Sequence, residues 1–139
     1  MVVILNRQRK RPVRAAALRR RLEALAARHG VAGAEVTLVI GGDRAMRTLN
    51  RRWRKQDRPT DVLSFSLRDA TPDGRQTLGD IVIAAPTAAR QAKAGGRGLD
   101  REMEILAIHG FLHLVGFDHG PAMSRAEAAA FRLRPGGEK

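Results

Sequence analysis

The chain has 139 residues, 43% of them hydrophobic but only 4% aromatic, and its 26 Lys and Arg against 14 Asp and Glu give a formal net charge of +12. That length suits a single domain, residues 1–139, with a core built mainly from Ala, Val, Ile and Leu. The absence of cysteine excludes disulfides and thiolate metal ligands and fits a reducing cytoplasm; no apolar run nears the roughly 18 residues that span a bilayer.

Residues 2–5 are apolar and read as a first strand rather than as a secretory signal, because charge and not a small-residue cleavage site follows them. The Arg- and Ala-rich stretch behind them imitates an organelle transit peptide, but the strand is the better reading. A basic run over residues 6–14 leads into a helix with Pro12 in its first turn, apolar spacing through Leu18, Leu22 and Leu25, and a stop at Gly30. Residues 35–40 alternate as a strand. Gly41 and Gly42 break it, and Asp43 is expected to cap a second helix that carries Met46, Leu49, Asn50 and Trp53.

Residues 54–61 form a charged loop and 62–67 a strand; Pro72, Asp73 and Gly74 mark an exposed turn, and 78–85 are a β-branched strand. Pro86 starts a helix that ends near Gly95 and Gly96, and Asp100 is expected to cap another that runs to about Val115. A short helix over 124–132 and a frayed tail over 134–139 complete the chain. This order predicts an α+β domain with a four-stranded mixed sheet, about five helices and a metal site at the end of a core helix.

The chemistry concentrates in residues 105–120, ILAIHGFLHLVGFDHG. His109 and His113 stand four apart on the predicted helix, so their imidazoles share a face. Gly116 can end the helix and turn the chain so that His119 approaches them. Three imidazoles with a position left open to water are the donor set of a catalytic zinc. A histidine on an apolar helix face is more often a packed core residue. Here, however, three of the chain's four histidines fall within eleven residues, with Gly at the turn, and the ligand reading prevails. Asp118 is a candidate to orient an imidazole, or else a solvated turn residue. Metzincin proteases share this spacing but place Glu after the first His as general base; Gly110 stands there and cannot move a proton.

HGFLHLVGFDH resembles the signature of the YbeY-type endoribonucleases, metal-dependent proteins of bacterial ribosomal RNA maturation. LNRRWRKQDRPTDVLSF, residues 49–65, and LGDIVIAAP, residues 78–86, resemble that family's loop and strands in the same order. The resemblance implies a single-strand-specific endoribonuclease acting at the 3′ end of small-subunit rRNA and in ribosome quality control. It implies one divalent ion per chain, Zn²⁺ first, held by His109, His113 and His119. The partners it implies are single-stranded or ribosomal RNA and the small subunit or its associated proteins, in the cytoplasm and without a membrane.

The resemblance also gives Arg54 a role at the phosphate, which suits a planar, permanently charged guanidinium. Arg51, Arg52, Lys55 and Arg58 are further RNA-contact candidates, each of which also reads as a solvated charge. Trp53 could stack on a base but reads better as core, and Thr60, Asp61 and Asp80 read as bracing residues. The sequence leaves open whether water or the RNA's own 2′-hydroxyl is the nucleophile. Two other classes stay in view: a non-catalytic RNA- or ribosome-binding factor with a structural ion, and a metalloprotease lacking its Glu base.

Overall fold

Neighbouring parallel strands need a crossover and antiparallel ones do not; this chain uses both connections. The computed structural model describes residues 1–54, 61–66, 76–118 and 120–133, with backbone alone for Ala45, Leu49, Asn50 and residues 52–54. In chain order the elements are β1 (Val2–Asn6), α1 (Ala15–Arg28), β2 (Glu35–Gly41), α2 (Asp43–Arg54), β3 (Val62–Ser66), β4 (Thr77–Ala84), α3 (Ala85–Ala94), α4 (Leu99–Leu114) and α5 (Pro121–Arg132). The strands order as β1-β2-β4-β3, with β1, β2 and β4 parallel and β3 antiparallel to β4 at the edge. The expected mixed four-stranded sheet and five helices are therefore present among the described residues.

Alternation along the strands sorts side chains between the two faces. Val36, Leu38 and Ile40 of β2 and Ile81 and Ile83 of β4 are fully buried on one face, where Leu22 and Leu25 of α1 and Met103, Ile108 and Phe111 of α4 join them. Leu63, Val82 and Phe65 lie on the other face, where Met46 of α2 packs with Leu63 and Ala84. Nine of the sixteen residues of α4 are buried, so it is the core helix. Arg21 fastens three helices: its guanidinium pairs with Glu104 at 2.7 Å and donates to the carbonyls of Ala130 and Leu133 at 2.8 Å each.

Several element starts differ from expectation. Pro12 lies ahead of α1, not within it, because Gln8 closes residues 8–11 into a turn, accepting from Arg11 N–H and donating to its carbonyl. Asp100 is inside the first turn of α4, whose cap is Gly98; there its charge still suits the helix N-terminus. Asp43 is the first residue of α2, and its carboxylate accepts from Thr87 Oγ1 at 2.7 Å and Arg90 at 2.8 Å, tying α2 to α3. Burial would raise its pKa, but these hydrogen bonds and the Arg90 charge outweigh that and hold it below the ordinary value. α5 starts at Pro121, three residues before the expected 124, since Pro suits a first helical turn. β3 ends at Ser66 and β4 runs Thr77–Ala84. The expected turn at Pro72, Asp73 and Gly74, the loop residues 55–60 and the tail 134–139 lie outside the described residues, as does the Trp53 side chain.

Asp61 braces the start of β3, accepting from Val62 N–H at 2.8 Å and from Gln91 Nε2 at 3.3 Å. Asp80 sits within β4, on the face away from Ile81. Burial raises its pKa above 3.8, and the neighbouring Glu35 carboxylate adds to the shift. A carboxyl whose pKa is higher folded than unfolded stabilises the fold below its unfolded pKa, and that contribution is lost as pH rises through the folded value. Asp80→Asn should therefore melt higher than the native chain at neutral pH, and the gain should fade as pH falls through the raised folded pKa and be gone below about 4. Melting curves across pH check this; a gain independent of pH would contradict it.

Candidate metal and RNA-cleavage site

Residues three and four apart on a helix stack along one face. On α4 this lines up Glu102, Ile105, His109 and His113, and Val62, Ser64 and Ser66 face them from β3. Between the two elements lies an open cleft of about 750 Å³, with Asp61 and Asp118 also on its wall. Glu102 is buried there, its carboxylate held by Arg97 Nε at 2.6 Å.

At the cleft the two imidazoles meet. Nε2 of His113 is 3.1 Å from Nε2 of His109, with the rings nearly perpendicular at 83°. Two nitrogens that far apart, each about 2.0–2.1 Å from one ion, subtend roughly 100° at it, near the tetrahedral angle. The pair thus fits two adjacent positions in the shell of one ion, while no group of three or more metal-donor side chains occurs among the described residues. The helix then ends as the sequence predicts. Gly116 takes φ 107°, a conformation that side chains with a Cβ avoid, while its N–H donates to His113 O and Phe117 N–H donates to Leu112 O. The chain turns back towards the cleft, where Asp118 is exposed on the wall. His119 itself lies outside the described residues.

Gly110 explains how α4 lies so close to the sheet. A Cβ on it would stand 2.6 Å from Ile81 Cγ2, 3.1 Å from Ser64 Oγ and 3.3 Å from Val62 Cγ2. Ser64 Oγ donates to Gly110 O at 3.0 Å, locking helix to strand beside His109. The position that carries Glu in metzincins has no room for a side chain here.

One residue of the site escaped the sequence reading. Glu127 of α5 places Oε2 2.8 Å from His109 Nδ1. Glu127 is thus a carboxylate that reaches a cleft imidazole, while Asp118, the candidate from sequence, stands on the cleft wall next to His119, which lies outside the described residues. The available signal was slight: Glu127 is an acidic residue in an otherwise apolar spacing with Met123 and Ala130 in a basic chain. Of the basic candidates, Arg51 is exposed on α2. Arg52 and Arg54 belong to the last turn of the same helix, but their side chains lie outside the described residues, as do Lys55 and Arg58. His29, the remaining histidine, is at the end of α1, its ring centroid 5.8 Å from that of Phe117 and 6.2 Å from that of Phe111.

Fold and cleft together define a small α+β domain with paired imidazoles on the wall of an open cleft. The family model described as endoribonuclease YbeY matches residues 3–132, and the chain belongs to that family. Curated relatives named endoribonuclease YbeY include one from Moorella thermoacetica, 50% identical over 122 residues, covering 81% of this chain and 78% of the relative. Another, from Anaeromyxobacter dehalogenans, is 44% identical over 130 residues, covering 92% of this chain and 67% of the relative. A third, from Aquifex aeolicus, is 39% identical over 116 residues, covering 84% and 77%. The solution structure of a Thermotoga maritima protein shares the fold at TM-score 0.66 and 24% identity, covering 94% of this chain and 86% of that one.

Proposed function

We propose that this chain is a metal-dependent, single-strand-specific endoribonuclease that matures ribosomal RNA at the 3′ end of the small-subunit RNA and takes part in ribosome quality control in the cytoplasm. The observation that carries the metal half of this reading is the 3.1 Å approach of the two Nε2 atoms at the cleft wall. Membership of an endoribonuclease family carries the other half.

His109, His113 and His119 would hold one divalent ion, zinc first among those that imidazole suits. Bound there, the ion would supply Lewis acidity to a phosphoryl oxygen and lower the pKa of water. The remaining work falls to the chain. The positive field of a +12 molecule concentrates RNA and makes its binding fall with salt. The carboxylates of Asp61 and Asp118 on the cleft wall would disfavour a phosphate directly beside them, whereas that of Glu102 is paired with Arg97. Arg54, with Arg51, Arg52, Lys55 and Arg58 around it, is the guanidinium assigned to the charge that develops on the phosphate. Ribosomal small-subunit components are the expected partners. The chain has no cysteine to form disulfides, and no described helix is long and apolar enough to cross a membrane.

The test is cleavage of single-stranded RNA by the purified chain before and after chelation, with melting followed on the same samples. Loss of cleavage with the fold intact, restored by added zinc, is the expected result. Cleavage indifferent to chelator would refute the metal-dependent reading, and loss of the fold with the ion would assign it a structural role.

A further inference from the structure

Met123, Glu127 and Ala130 are spaced four and three apart, on one face of α5. Met123 and Ala130 are buried in the main core, so that face is turned to α4, and Glu127 meets His109 from it. An ionised carboxylate only accepts hydrogen bonds. Nδ1 of His109 must therefore be the donor at 2.8 Å, and in a neutral ring Nε2 then carries no proton. Nε2 is the atom that lies 3.1 Å from His113 Nε2.

We propose that Glu127 is a positioning residue of the metal site: it holds His109 in the tautomer and ring orientation that turn its unprotonated Nε2 to Nε2 of His113, which donates to it at 3.1 Å and gives up that proton when an ion binds. The inference deepens the metal reading above and rests on it. A carboxylate behind a ligand imidazole also raises the basicity of the ligating nitrogen. Helix α5, whose contact residue is 18 positions from His109, thereby becomes part of the site.

Docking of α5 does not depend on this contact. Arg21 already fastens the helix through the carbonyls of Ala130 and Leu133, and the Arg101 guanidinium lies 4.1 Å above the Phe131 ring. Removing the Glu127 carboxylate should therefore alter the site and leave the packing.

Two measurements on the whole chain test this, with Glu127→Ala and Glu127→Gln beside wild type. Long-range ¹H–¹⁵N spectra of the metal-free protein at alkaline pH report the His109 tautomer. Wild type should show Nδ1–H, and Glu127→Ala should shift towards Nε2–H. Competition titration with zinc alone should show the alanine variant about 10–100-fold weaker. Glutamine, whose amide oxygen still accepts from Nδ1, should recover most of the loss, and all three should melt within a few degrees of one another. An alanine variant that keeps the Nδ1–H tautomer, or that binds zinc as tightly as wild type, overturns the proposal. Wild type that shows the Nδ1–H tautomer yet takes up no zinc overturns the metal reading itself, and the purpose assigned to Glu127 with it.

Discussion

His113→Ala is expected to lower RNA cleavage by on the order of 10³-fold or more and to abolish tight metal uptake, while the chain stays folded. The site depends on few donors. No cysteine is available, and the only other described imidazole at the cleft is that of His109. Removing one of the three proposed nitrogens would leave an ion poorly held, and an ion's stabilisation of charge in a transition state is worth several kcal/mol, or roughly 10³-fold. The fold should tolerate the change because His113 lies partly exposed on the cleft wall, and Ala is the best helix former. His29 supplies the control. Its ring packs against Phe111 and Phe117, away from the cleft, and burial followed by the nearby Arg28 charge depresses its pKa. His29→Ala should lower the melting temperature and leave metal content unchanged. Metal content and single-turnover cleavage of both variants decide the matter; a His113→Ala protein that still carries one ion per chain and cleaves normally would contradict the assignment.

Gly110→Glu, which restores the metzincin pattern at the level of sequence, is expected to unfold the protein rather than make it a protease. The smaller change to Ala already sets a methyl 2.6 Å from Ile81 Cγ2, and Ile81 is fully buried, with Cγ2 a methyl on its stiff β-branch. Over-packing of this kind costs about 1–3 kcal/mol. The gain from replacing a mid-helix Gly is about 1 kcal/mol, so Ala should be a net loss. Glu adds more bulk and a carboxylate driven against the sheet without a partner, a further cost of several kcal/mol. It also pries Ser64 from the Gly110 carbonyl, which it meets at 3.0 Å. With roughly 2–8 °C of melting temperature per kcal/mol in a domain of this size, the alanine variant should melt a few degrees low. The glutamate variant should show no cooperative transition and no peptidase activity. A glutamate variant with native melting would contradict the close packing of α4 on β3 and β4.

The parts of this molecule that were legible in sequence are those that local geometry decides. The i, i+4 spacing put His109 and His113 on one face, and Gly116 marked the helix end three residues later, because both follow from the dimensions of a single helix. Strand positions followed from alternation and β-branching. What was not legible depends on contacts between elements. β3 enters the sheet at the edge, beside β4 and antiparallel to it, and no residue of 62–66 announces that partner. The starts of α1 and α4 shifted because Arg14 and Gly98 occupy the cap positions without side-chain capping bonds, so neither Pro12 nor Asp100 marked the boundary.

Asp43 illustrates a different difficulty. A helix-capping residue type turned out to bridge two helices, because Thr87 and Arg90 offer its carboxylate stronger partners. Glu127 was hidden for a related reason. Its spacing reads as an ordinary amphipathic helix, and its partner His109 is reached only when α5 crosses α4. Gly110 was read for the chemistry it lacks, whereas the structure shows the space it keeps clear.

The central claim, that His109, His113 and His119 grip one ion with room left beside it, is tested most directly by X-ray absorption on the zinc-loaded chain. Three imidazole nitrogens at about 2.0–2.1 Å with an exchangeable oxygen ligand completing the shell are expected. A shell with fewer than three imidazoles, or a protein that holds no zinc to measure, would contradict it.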